Sequence, residues 1–134
     1  MAPMGKVEIV VRKAEGDESV EVDENDGSIE IRRFVPRTYM LTYTYDEVEY
    51  EGEKKYGVLT REAWYEWDNG AGTWRIHRAE ADGPALKYYT KDGATWDQWF
   101  RNGLAHRSGG LPASIRAVGG GVWYEYIEDG VKKC

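Results

Sequence analysis

A His-Arg pair occurs at His77-Arg78 and again 29 residues later at His106-Arg107, and each pair heads a segment that closes on a turn glycine, Gly103 and Gly130. The two segments keep step. Pro84-Ala85 returns as Pro112-Ala113 after 28 residues, and Trp96 and Gly103 return as Trp123 and Gly130 after 27. A period of this length implies one supersecondary unit per copy, stacked on its neighbours because a single unit cannot bury its own apolar face. An earlier, partial copy is visible in Trp64-Tyr65-Glu66-Trp67-Asp68-Asn69-Gly70, which parallels Trp96 to Gly103 with one residue missing.

Punctuation tells what a copy is made of. Asn102-Gly103 supplies the two positive φ angles of a two-residue hairpin turn, and Asp92-Gly93 does the same between 85–90 and 95–100. Asp82-Gly83-Pro84 and Gly110-Leu111-Pro112 mark looser turns, after which a strand can begin because proline has no N–H to give to a ladder. Each copy reads as a pair of short antiparallel strands, and no segment has sustained helical spacing.

The pattern His-Arg, Asp-Gly-Pro-Ala, Trp-x-x-Trp-x-x-Asn-Gly resembles the tandem β-hairpin repeats, distantly similar to MORN repeats, of bacteriophage, giant-virus and some bacterial proteins. Tyr50-Glu51-Gly52-Glu53 echoes the opening of a MORN unit, and the likeness covers roughly residues 50–134. The second copy departs from it, with Gly110-Leu111 in place of Asp-Gly and Asp129-Gly130 in place of Asn-Gly. The resemblance implies a scaffold without catalytic residues, a viral or mobile-element origin, and a binding role.

Composition agrees with an all-β chain. Six Trp and ten Tyr against two Phe suit half-buried sheet surfaces, and sixteen glycines, many in Asn-Gly, Asp-Gly or Gly-Gly steps, suit tight turns. The single cysteine, Cys134, allows no internal disulfide, and no apolar run approaches a membrane span, so a soluble cytoplasmic protein is expected, in the host cytoplasm if viral. Charge is uneven. Residues 1–53 hold fourteen acids and six bases (6 − 14 = −8), and residues 54–134 hold ten and twelve (12 − 10 = +2).

In chain order, the β-branched run from Lys6 to Arg12 predicts a first strand, closed by a turn at Glu15-Gly16-Asp17-Glu18 and followed by a second hairpin about Asn25-Asp26-Gly27. Val35-Pro36 interrupts this meander. Tyr39, Leu41, Tyr43 and Tyr45 then share a face of the longest strand-like stretch, which is expected to continue through Asp46–Glu53. Residues 59–67 predict a strand, although 60–67 also suit two helical turns by propensity. One domain follows, 1–53 an acidic meander and 54–134 hairpin repeats, built as one extended sheet or a two-layer sandwich.

His77 and His106 lack the partners of a catalytic pair or a metal site, and a structural role such as hydrogen-bonding the loop before Pro-Ala is expected. No cofactor and no metal are called for. Gly109-Gly110 and Gly119-Gly120-Gly121 fit no phosphate loop. Of each Trp pair spaced i, i+3, one ring faces the core and the other faces out. The surface expected to bind a protein comprises Trp64, Trp96, Trp99, Arg101, Arg107, Trp123 and Tyr124; were the rings instead to stack a nucleotide, Arg75, Arg78, Arg101, Arg107 and Arg116 would be available to neutralise its phosphate. A second candidate is the acidic set Asp46, Glu47, Glu49, Glu51 and Glu53, in which the alternation of Glu47, Glu49, Glu51 and Glu53 would set side chains about 6.6 Å apart on one side of a strand and imitate a phosphate array.

Function is therefore expected to be non-enzymatic attachment to a host protein, such as a nucleic-acid-processing enzyme or a defence complex, with inhibition of the anti-CRISPR kind. Alternatives are an acidic DNA mimic and a nucleotide-sequestering aromatic pocket. Neither direct nucleic-acid binding nor a membrane role is expected.

Overall fold

A long hairpin, β4 (Tyr39–Glu51) and β5 (Lys54–Asp68), sets the frame of the protein, seen in a computed structural model that describes residues 5–12, 18–35, 39–90 and 92–133. On the β4 side lie β3 (Ser28–Val35) and β2 (Ser19–Asn25), joined through Asp26 and Gly27, both at positive φ. The far edge of β5 is shared by three strands in succession. β1 (Val7–Ile9) pairs with residues 55–57, β7 (Leu86–Tyr89) with 61–63, and β6 (Thr73–Ile76) with 65–68.

From β7 the sheet continues through β8 (Thr95–Gln98), β11 (Ser114–Val118), β12 (Gly121–Glu128) and β13 (Val131–Lys133), all antiparallel. β9 (Phe100–Arg101) and β10 (Leu104–Ala105) form a small hairpin of their own. The result is one large sheet in the order β13-β12-β11-β8-β7-β5-β4-β3-β2, so the sandwich is not formed. The boundary expected between residues 53 and 54 falls in the β4–β5 turn, and β5 carries neighbours from both parts.

The expected first hairpin is a correction. β1 is shorter than the run from Lys6 to Arg12 and pairs with β5, not with β2. Burial decides this: Ile9 reaches across the sheet to Ile29 and Ile31, and Val20, Val22, Tyr43, Tyr45 and Val48 pack around the three. Burying an isoleucine of this kind is worth about 1.5–3 kcal/mol, more than a solvent-facing β1–β2 pairing offers. The expected turn at 15–18 falls almost wholly, and the break at Pro36 wholly, outside the described residues. Residues 60–67 are strand throughout, so tertiary pairing overrides their helical propensity.

β4 does continue as expected through Glu51, but it is bulged. Register shifts fall between Thr44 and Tyr45 and between Asp46 and Glu49, and Glu47 has φ 54°. Val48 turns away from β5, and its N–H donates to the Gly27 carbonyl at 3.2 Å. The bulge bends the β4–β5 hairpin so that β1 closes over the isoleucine cluster.

Candidate protein-binding surface

Each repeat copy is welded to the one before it at a tryptophan. In the first, the His77 N–H donates to the Trp64 carbonyl (3.0 Å) while the Trp64 N–H donates to Ala85 (2.8 Å). In the second, the His106 N–H donates to Trp99 (2.9 Å) and the Trp99 N–H to Ala113 (2.7 Å). The tryptophan is thus the branch point at which a strand changes partner, its carbonyl going to its own hairpin and its N–H to the next copy.

The arginine after each histidine locks the branch. Arg78 lies over Trp64 at 4.0 Å and donates from Nη1 to the Pro84 carbonyl at 3.2 Å; Arg107 lies over Trp99 at 3.9 Å and donates to Pro112 at 3.1 Å. A cation over an indole face is attracted by the ring quadrupole. The histidines act elsewhere. His77 Nδ1 accepts the Asn102 N–H (3.2 Å) and His106 Nδ1 accepts the Asp129 N–H (3.0 Å), so each imidazole receives the turn that closes its own segment. Holding the loop before Pro-Ala, the task expected of histidine, belongs to arginine.

These bonds also correct the register of the partial copy. Trp64 takes the place of Trp99, not of Trp96, because both accept a His N–H and lie under the following Arg. The first hairpin is longer, reaching Trp67 opposite Trp74 before it turns. Sequence alignment on the Trp pair missed this, since the extra pairs lengthen both arms without altering the spacing of the Trp residues.

The expected binding residues consequently divide. Trp99 is buried at 7% exposure, and Trp64 and Arg107 are half-buried in the clamps, which removes these three from an open surface. Arg101 pairs with Asp129 at 2.7 Å, and this bond, first among its causes, holds the Asp129 carboxyl below its ordinary value. Trp96 is half-buried and donates from Nε1 to Ser114 Oγ at 2.6 Å. Trp123 and Tyr124 are the open rings, at 59% and 54% exposure, and as neighbours on one strand they face opposite sides of the sheet.

What the fold does bring together is a row across five strands. Arg61 stands opposite Tyr88, Tyr88 opposite Trp96, Trp96 opposite Arg116, and Arg116 opposite Trp123. Directly opposed residues share a face, so two arginines and three rings line up over about 19 Å at ordinary strand spacing, with Tyr88 and Trp96 side by side between the arginines. The contacts bear this out: Arg61 lies 5.9 Å from the Tyr88 ring, Tyr88 and Trp96 are 6.0 Å apart, and Arg116 lies 5.6 Å from Trp96. Arg61 is further fixed by a 2.9 Å bond from Nη2 to the Tyr65 hydroxyl. At another place on the sheet, Trp74 sits between Phe34 (6.0 Å) and Trp67 (5.4 Å). Arg61, Tyr88 and Trp74 escaped sequence reading because only the strand register brings them to these rings.

The acidic row does not form as spaced. Glu47 sits at the positive-φ bulge and Glu53 in the turn after β4, so only Glu49 and Glu51 keep strand alternation, while Asp46 is half-buried opposite Val58. Glu49 pairs with Lys6, and Glu51 stands opposite Lys54. Arg32 gathers Glu21 (3.6 Å) and Asp23 of the neighbouring β2 and Glu30 (3.0 Å) of its own strand about itself. Among the described residues no three His, Cys, Asp or Glu side chains gather as a metal site, and no helix is long and apolar enough to cross a membrane. Compared with protein-family models, curated proteins and solved structures, the chain finds no match.

Proposed function

We propose that this chain is a non-enzymatic binding protein, of the phage or viral kind that its repeats resemble, which attaches to a host protein and inhibits it. The carrying observation is the row of arginines and rings Arg61, Tyr88, Trp96, Arg116 and Trp123. Arginine and large rings are the residues that anchor protein interfaces, and here their spacing is fixed by backbone pairing, so little ordering cost remains for association. Arg116 and Trp123, both exposed, form the end of the row that a partner meets first.

A pull-down from host lysate tests the reading. The parent and folded Arg116→Glu and Trp123→Ala variants are compared, each with nuclease treatment and at high salt. A host protein retained by the parent after nuclease and lost with the variants supports it; equal recovery by all three defeats it.

One observation favours a second reading, a nucleotide-sequestering site. Tyr88, Trp96 and Arg116, with Thr90 and Val118, border a hollow of about 260 Å³, which offers two rings for a base and a guanidinium for phosphate. Calorimetry against linear and cyclic nucleotides decides this, and absence of heat removes it.

A further inference from the structure

Two of the five residues in the row are arginines that no carboxylate answers. Elsewhere the fold pairs its arginines: Arg32 meets Glu30 at 3.0 Å, Arg75 meets Asp68 at 2.6 Å and Arg101 meets Asp129 at 2.7 Å. Among the described residues neither Arg61 nor Arg116 has an ion pair; Arg61 lies over the Tyr88 ring and gives one N–H to Tyr65, and Arg116 lies over the Trp96 ring without a side-chain hydrogen bond. A guanidinium carries five donors, so most of theirs remain to be given. Arg61 is half-buried, and a charge withdrawn from water with no opposite charge beside it is a cost that an incoming anion relieves.

The borders of the row leave that charge standing. On one flank the same face carries Ala63, Leu86, Gln98 and Ser114, each opposite the next and none charged. On the other, Thr90, Ala94 and Val118 border the hollow beside Arg116. Two carboxylates stand at these borders. Glu125, opposite Ser114, holds Lys132 at 3.5 Å, and Asp92, at the hollow, accepts the Thr90 hydroxyl and the Ala94 N–H (3.4 Å). With both counted, and Lys132 beside its partner, the row keeps a net positive charge on a chain whose total is −6.

Spacing narrows what fits. From Arg61 to Arg116 the row takes three strand steps, through Tyr88 and Trp96, which is about 14 Å. Four residues of extended polypeptide, at about 3.4 Å each, cover the same distance, and by alternation residues i, i+2 and i+4 face one side. Stacked bases fit less well, because both central rings already lie under a guanidinium. We propose that the row receives an extended acidic segment of the protein partner, laid across the strands with carboxylates at i and i+4 on Arg61 and Arg116 and an apolar side chain at i+2 over Tyr88 and Trp96. The planar fork of each guanidinium matches a carboxylate, and the two rings hold the forks in place beforehand. This inference rests on the reading of the row as a protein-binding surface and adds the chemistry of what it binds.

The test titrates the isotope-labelled chain with the blocked peptide Ser-Glu-Thr-Leu-Thr-Glu-Ser and follows the arginine Nε–H and tryptophan indole N–H signals. Saturable shifts at Arg61, Trp96 and Arg116 are expected, weakening as sodium chloride is raised. A peptide with glutamine for both glutamates should bind about ten-fold more weakly or worse. So should Ser-Thr-Glu-Leu-Glu-Thr-Ser, which keeps the charge and halves the spacing. In the protein, Arg116→Gln, at an exposed position, should weaken the first peptide about ten-fold with the fold intact. No saturable shift at the row, equal binding of either control peptide, unchanged binding by Arg116→Gln, or saturable binding of hexathymidylate in place of the peptide overturns the proposal. The two failures are separable. Peptides that do not bind, with a host protein still lost from Arg116→Glu and Trp123→Ala, remove the acidic segment and leave the row; equal recovery from lysate by parent and variants removes the row itself.

Discussion

The Arg107 guanidinium lies 3.9 Å from the Trp99 ring centre, and Arg78 repeats the arrangement over Trp64 at 4.0 Å. Each arginine also bonds a proline carbonyl, so one side chain joins a hairpin to the loop that leads into the next strand. Lysine has the charge but not the fork that serves ring and carbonyl together. Arg107→Lys and Arg107→Ala should therefore both destabilise, by about 1–3 kcal/mol, with lysine recovering less than half the loss. Urea unfolding midpoints at constant slope check this.

Burial predicts opposite fates for two tryptophans that sequence treats alike. Trp99→Ala removes a buried ring and should cost about 3–5 kcal/mol, while Trp123→Ala, at an exposed edge, should stay within about 0.5 kcal/mol of the parent. If Trp99→Ala unfolds the chain, Trp99→Phe, which keeps a ring under Arg107, gives the graded comparison. Thermal or urea unfolding of the set reads the order directly.

The turns were legible because they are local: Asp26-Gly27, Asn102-Gly103 and Asp129-Gly130 all take the positive φ angles their residue types announce. So were the strands and the all-β class. Pairing across distance was not. Nothing near Ile9 says that it will lie against Ile29 and Ile31, and nothing near Arg116 says that it will stand between Trp96 and Trp123. Alternation correctly divided each Trp pair between two faces but could not say which member faces in, since that depends on where the following Arg lands. The acidic row failed for a related reason: a bulge at Glu47 costs a strand its alternation, and no residue type at that position announces it.

Gly57 stands opposite Val7, and a Cβ placed there would lie 3.0 Å from Ile9 Cδ1 and 3.2 Å from the Asp46 carbonyl. The carbonyl belongs to backbone and cannot swing away. Gly57→Ala should therefore loosen β1 and cost about 1–3 kcal/mol, with faster amide exchange at Ile9 and in the neighbouring isoleucine cluster. Exchange unchanged at Ile9 would mean that β1 does not close the core.

Glu80, in the short 3₁₀ turn Glu80–Asp82, ties the first repeat to the second by accepting the Ser108 N–H at 2.6 Å and the Ser108 hydroxyl at 2.9 Å. Those bonds, the backbone one foremost, lower its carboxyl below the ordinary value. A lowered folded value means that the stabilisation is complete above about pH 4.3 and is lost as pH falls through the folded value. Glu80→Gln should be less stable than the parent at neutral pH, and the gap should close in acid. Asp68 and Asp92 are lowered as well, so the informative quantity is the difference between parent and variant across pH, read from urea midpoints.

His77 and His106 each accept a backbone N–H at Nδ1, from Asn102 and Asp129. Only an unprotonated nitrogen accepts, so the neutral ring must carry its proton on Nε2 in both. His77 Nε2 then faces the Glu66 carboxylate at 3.2 Å, whereas His106 Nε2 is buried without a hydrogen-bond partner among the described residues. Long-range nitrogen–proton correlation spectra at neutral pH should show the Nε2–H form for both rings. His106→Asn, which can place an oxygen near the same point, should lose about 1 kcal/mol less than His106→Leu, which leaves the Asp129 N–H without its acceptor. Asparagine and leucine are close in size, so the comparison isolates the hydrogen bond from the packing and tests whether the histidine is there to receive the turn that closes its segment.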